Sequence, residues 1–229
     1  MVLNAQTFTW TGSTDVNWSD QTNWSTSDGS DGDDGIPGAS NPVTIPNVSN
    51  DPEINNNSAV CGALTIQSGG KLYSTTSDGK LVASSIDLQS GGTMIFSNGE
   101  IECTGKMDCD GILTLGGSGV LDVNGEFEVS STSGGTKSGG SLYVAGDFDA
   151  SSAEPADFTG YGSNTVILDG SNQSLILNAS ASSVIFYNLT SSSSGTVTLQ
   201  NDNLDVNGNL SIAASSTLDV SANNYNITV

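Results

Sequence analysis

The sequence contains no histidine and no arginine, and only four lysines stand against 25 acidic residues. Those absences remove much familiar chemistry. Without His or Arg, the usual acid–base pairs and phosphate-handling sites cannot be assembled. A formal net charge of -21 excludes a nucleic-acid partner, because phosphate contacts need Lys and Arg. An anionic membrane surface repels the same charge. No apolar run approaches the ~20 residues of a bilayer-spanning helix, so direct membrane insertion is not expected. The three cysteines cannot all pair within one chain, so a disulfide framework is not what holds the fold. No segment sustains a 3.6-residue apolar period, which argues against a helical fold.

What is present points elsewhere. Charged residues make up 13% of the chain and hydrophobic ones 35%. Gly, Ser, Thr and Asn fill most of the remainder, a mixture suited to short strands joined by turns. The opening "MVLNAQTFTW" lacks the basic and long apolar regions of a complete signal peptide. "LNAQ" reads either as the remnant of one, cleaved near Ala5, or as ordinary chain.

One pattern recurs. "IECTGKMDC" starts at Ile101, "LDVNGEFEV" at Leu121, "LYVAGDFDA" at Leu142 and "LDVNGNLSI" at Leu204. Each is apolar-x-apolar, a turn, then apolar-x-apolar. "LVASSIDL" from Leu81 and "VIFYNLTS" from Val184 join the register with a shortened turn. Alternation over three residues is a short strand with one face inward. Gly105, Gly125, Gly146 and Gly208 hold the same turn position, where Gly permits a tight backbone approach. Leu72, Met94, Leu113, Val197 and Leu218 read as a third strand. Three strands in about 21 residues, repeated, predict an all-β, right-handed parallel β-helix of roughly eight rungs. At about 4.8 Å per rung the stack is near 40 Å long.

The first 60 residues differ. They hold all three Trp and most of the Pro. A solenoid end exposes open strand edges and needs a cap. Residues 1–60 are therefore read as an N-terminal cap packed by Trp10, Trp18 and Trp24, and 61–229 as the rungs. The alternative for the Trp residues is a sugar-stacking platform. The stretch Ser151–Thr165 breaks the spacing and is expected to loop out. "LDVSANNYNITV" ends in strand pattern at Val229, so continuation beyond it is expected.

The opening "TWTG…VNWSDQTNWS…NPVTIPN" and the later "FYNLT…VNGNLSI" resemble large secreted cell-surface proteins of Bacteroidetes, including their β-helical repeats. Filamentous haemagglutinins are a more distant likeness. The resemblance implies an exported cell-surface or released protein, often an adhesin and often carried by type IX secretion. It carries no uniform catalytic residues onto this chain.

Candidate chemistry is correspondingly sparse. The lysines Lys71, Lys80, Lys106 and Lys137 form no evident cluster. Paired carboxylates suit a glycosidase, which makes a carbohydrate-active enzyme the competing class. Cys103 and Cys109 fall on inward positions and read as small buried hydrophobes; Cys61 precedes the first strand. "DGSDGDDG" places Asp28, Asp31, Asp33 and Asp34 in a loop that resembles Asp-rich calcium sites without a complete signature. Asp87, Asp108, Glu128 and Asp149 recur every 20 or 21 residues between inward neighbours. They predict an outward acidic column, with Glu102 and Asp122 starting a second. Adjacent carboxylates at that spacing repel by about 1 kcal/mol in a water-like dielectric. Either solvent and salt screen the column or Ca²⁺ bridges it.

The functional expectation is a non-enzymatic extracellular structural or adhesive module. Its partners would be a glycan or other surface, or the secretion and attachment machinery. A carbohydrate-binding module and a self-stacking fibre subunit are the remaining alternatives.

Overall fold

The computed structural model describes residues 6–27, 35–56, 59–130, 134–153, 158–160, 162–178, 184–221 and 224–229. The chain winds into an all-β parallel solenoid of about eight turns with a spacing near 21 residues. Short apolar-x-apolar segments can bury one face only by pairing with the equivalent segment of the next turn, so the stack grows rung by rung. The one described helical element is a 3-10 turn, Gln21–Asn23.

Each rung has three faces. The first is built by strands such as Glu100–Cys103, Val120–Val123 and Ser141–Val144. Met107–Cys109, Phe127–Val129 and Phe148–Asp149 belong to the second. The third holds Lys71–Ser74, Thr93–Phe96 and Ile112–Leu115. Two strands, Ala59–Ile66 and Lys80–Leu88, run across the first and second faces without a break. Cys61 thus lies inside a strand rather than ahead of one.

The interior is a set of apolar columns. Leu81, Ile101, Leu121, Leu142 and Val166 stack on the first face and are fully buried. Midway along, Phe148 touches Phe127, Phe158 and Phe186, each with ring centroids 5.4 Å away. Phe158 comes from the stretch expected to loop out. Instead Phe158–Thr159 pairs in parallel with Val184–Ile185 and supplies the third face of its rung. Among the described residues, one charge enters this core. Lys137 is 1% exposed, its Nζ 3.3 Å from the carbonyls of Gly134 and Gly135 and 5.1 Å from the Phe158 ring centroid. Carbonyl dipoles and a ring face are the groups that compensate a desolvated ammonium.

Two register expectations are corrected. Leu204–Asp205 pairs with Ile227–Thr228, and Val206 with Phe186, all on the third face. The first-face partner of Leu189 is Leu210. "LDVNGNLSI" therefore turns the third-to-first corner, whereas "LDVNGEFEV" turns the first-to-second. Likewise Val197 and Leu218 pair with each other on the second face, not on the third with Leu72, Met94 and Leu113. The cause is rung length. The repeat lengthens to 24 residues between Leu142 and Val166 and 23 between Val166 and Leu189.

At the N-terminal end the stack begins before residue 60. Val43–Ile45 pairs in parallel with the second half of Ala59–Ile66, and Phe8–Trp10 pairs in parallel with Val43–Ile45. Trp24–Thr26 then pairs antiparallel with Phe8–Trp10 and reverses the chain direction at the edge. Over this end Trp24 lies 4.8 Å from Trp10 and 4.7 Å from Trp18 in edge-to-face contacts. The indole of Trp10 donates to the Asn50 carbonyl at 2.7 Å and that of Trp24 to the Trp18 carbonyl at 2.8 Å. The three rings are at most 8% exposed. A sugar-stacking platform needs an open ring face, so these rings close the core and do not form one.

Candidate functional site

Among the described residues, two places on the outside gather polar chemistry. The first is the acidic column on the second face. Asp87 pairs with Asp108, Asp108 with Glu128, and Glu128 with Asp149, in register on successive rungs. The structure thus brings these four predicted residues together. It also gives each a partner within the chain. Lys106 reaches across two rungs, its Nζ 2.8 Å from Asp108, 3.3 Å from Glu126 and 2.5 Å from Glu128. The hydrogen bonds that Lys106 donates to Asp108 and Glu128 push its pKa up. At one end Gln89 donates to Asp87 at 3.0 Å, and at the other the Ser151 amide donates to Asp149 at 2.8 Å. Among the described residues no group of three or more Asp, Glu or Cys side chains is placed to hold a metal ion. The loop carboxylates Asp28, Asp31, Asp33 and Asp34 lie outside the described residues.

Glu102 and Asp122 also pair in register, on the first face, and Lys80 sits 2.8 Å from Glu100 and 3.4 Å from Glu102. Asp122 has no lysine of its own. Burial pushes its carboxyl up, and the negative charges of Asp169, Glu102 and Glu100 add to the shift. The Asp169 carboxyl is also raised by burial.

Sequence reading missed the second place. A cleft of about 330 Å³ opens on the third face beside the cap, lined by Val16, Ser49, Asn50, Asp51, Glu53, Tyr73 and Thr75. Its geometry follows from strand alternation. Pro52 and Ile54 are buried, so Asp51 and Glu53 both face outward from one short segment. Glu53 pairs on one side with Asn17 and on the other with Tyr73. Backbone bonds hold both walls: Glu53 donates to the Val16 carbonyl at 2.8 Å, and Ile54 to that of Tyr73 at 2.8 Å. Thr75 donates its hydroxyl to Glu53. Asp51 Oδ2 is 3.8 Å from Lys71 Nζ, while Asp51 Oδ1 is shielded from solvent and has no hydrogen-bond partner. Burial raises the Asp51 carboxyl against the opposing pull of Lys71. The available signal was the alternation "DPEI" set against "KLYS" one rung on.

The three cysteines are buried and form no disulfide with one another. Cys61, Ala83 and Cys103 occupy one inward column. Burial pushes the Cys61 thiol up to about 12 and that of Cys103 to about 11, so neither is a nucleophile at neutral pH.

Fold and surface together define a capped parallel β-solenoid with polar outward columns. Residues 9–101 match a family described as a domain of unknown function (DUF8693). The matched stretch runs from the first capping strand to the start of the third rung and includes every residue lining the cleft. Comparisons with curated proteins and with solved structures returned no match.

Proposed function

We propose that this chain is a non-enzymatic structural and adhesive module of an exported bacterial surface protein. One observation carries the reading: an apolar interior locked rung to rung, with its chemistry arrayed outside on columns in register. Such a rod keeps its shape while outward residues vary, which suits a surface-presenting role. The charge of -21 keeps copies apart and directs the module to neutral or cationic surfaces. The resemblance to secreted Bacteroidetes proteins supports an extracellular or cell-surface location. A glycan-bearing surface is the partner class.

The test measures adhesion of the purified chain to glycan-coated and protein-coated beads, alongside a reducing-sugar assay. Saturable adhesion without sugar release is the expected result. Turnover would replace this reading with a carbohydrate-active enzyme. Filaments seen by electron microscopy at high protein concentration would favour a fibre subunit instead.

A further inference from the structure

We infer that the cleft beside the cap binds a single sugar ring, through the ring's hydroxyl donors and one C–H face. The inference rests on the adhesive reading above and names the site and ligand class for it. The cleft's volume, about 330 Å³, is at the small end of ligand pockets, which run from roughly 300 to 1,000 Å³.

The hydrogen-bonding capacity left in the cleft is mostly acceptor. The Asn50 amide nitrogen is already committed to the Gly12 carbonyl at 2.7 Å, and the Thr75 hydroxyl to Glu53. Open to a ligand are the second oxygen of Glu53, the Ser49 hydroxyl and the Tyr73 phenol. Asp51 adds negative charge to the wall, although its unpartnered Oδ1 is shielded from solvent. Carboxylate oxygens accept and cannot donate, so an anion meets their negative charge and only the Ser49 and Tyr73 hydroxyls as donors, whereas a donor-rich ligand has several partners. The remaining wall is apolar: Val16 is 40% exposed, and the half-buried Tyr73 offers its ring. Acceptors beside an aromatic and an apolar side chain in one lining match a pyranose, which has hydroxyls around its rim and C–H bonds on its faces.

A bare ammonium is the other donor-rich ligand. It is disfavoured here because Lys71 already places a cation on Asp51, and an incoming amine would compete with it. The walls are tied by backbone pairing and by the bond from Trp10 to the Asn50 carbonyl. Little ordering would be needed on binding, which is how a small site reaches useful affinity.

The experiment titrates the ¹⁵N-labelled full chain with glucose, galactose, mannose and N-acetylglucosamine in turn, with methylammonium chloride as the cation arm. At least one sugar is expected to give saturable shifts concentrated at Val16, Asn50, Glu53, Tyr73 and Thr75. Tyr73→Ala should weaken that binding by about tenfold or more, roughly 1.4 kcal/mol, while Tyr73→Phe retains most of it. Glu53→Gln should weaken it, and Asp108→Asn on the second face should leave it unchanged. Melting curves that match wild type show that the variants fold. No saturable shift with any of the four sugars, shifts lying elsewhere, or cleft binding by methylammonium alone would overturn the inference. Bead adhesion separates the two readings. If Tyr73→Ala binds no sugar yet adheres like wild type, the adhesive reading stands and the cleft is not its site. Sugar binding without adhesion leaves the cleft assigned and removes the adhesive reading.

Discussion

The Gly146 amide donates to the carbonyl of Gly125 at 2.9 Å, and a Cβ on Gly146 would lie 2.3 Å from the Gly125 carbonyl carbon. Gly125 stands in the same relation to Gly105, where the corresponding approach is 2.5 Å. The corner between the first and second faces is therefore a column of backbone packed on backbone. No side chain fits between successive rungs there, and backbone cannot swing aside as a flexible side chain does.

Gly146→Ala is accordingly expected to destabilise the solenoid by about 2–3 kcal/mol, the scale of overpacking in a closed site. Gly134→Ala is the control, since nothing lies within 4 Å of a Cβ there. It should stay within about 0.5 kcal/mol of wild type. Urea denaturation followed by Trp fluorescence reads both. Equal midpoints would mean that the column relaxes freely.

Lys106 joins carboxylates of adjacent rungs, so Lys106→Gln leaves like charges facing each other. The groups are roughly half exposed, which limits the loss to about 1 kcal/mol. The loss should grow as salt is lowered, because screening weakens. The further changes Asp108→Asn and Glu128→Gln should restore the melting temperature. In wild type, CaCl₂ and NaCl at matched ionic strength should raise melting equally, whereas Lys106→Gln should respond more to CaCl₂. A calcium-specific rise in wild type would show that the column holds the ion alongside Lys106.

Asp122 sets a pH dependence of known sign. Its folded pKa is raised above the ordinary aspartate value by burial and by neighbouring carboxylates, so the folded chain holds that proton more tightly than the unfolded one. The charged form is a penalty at neutral pH. The penalty lifts as pH falls through the folded pKa towards the unfolded value. Asp169, raised in the same direction, acts alike. Asp122→Asn should melt higher than wild type at pH 7, and the two should converge towards pH 4. A variant less stable at pH 7 would contradict the burial assigned to this carboxylate.

Cys61 and Cys103 should resist thiol reagents in the folded state, because both are buried and their thiols are raised to about 12 and about 11. Ellman's reagent is expected to label neither at neutral pH, and to label all three cysteines in guanidinium. Rapid labelling without denaturant would indicate that the first two rungs open locally.

Much of this was legible in the sequence, for a physical reason. An inward apolar, an outward polar and a Gly at the corner are local requirements, and they repeat wherever the geometry repeats. Between Leu81 and Ala150 the rungs keep 20 or 21 residues. There the sequence alone placed the acidic column, the buried cysteines and the stacked glycines correctly. The parallel solenoid itself follows from the same spacing.

Tertiary structure decided what local chemistry leaves degenerate. "LDVNG" asks for a strand and a tight corner, and two different corners of the rung accept it. Leu121 and Leu204 carry the same five letters yet sit on different faces, because only pairing with the rung beneath assigns a face. Longer rungs after Leu142 shift that pairing, and no single residue announces the shift. The cleft has the same origin. Asp51, Glu53 and Tyr73 are unremarkable in sequence, and become a site only when Glu53 pairs with Tyr73 across a rung and Val16 folds over them. Lys106 likewise became the cation of the acidic column only once winding brought Glu126 and Glu128 beside it. Sequence determines the conformation of each segment, whereas the contacts between rungs determine which outward side chains share a surface.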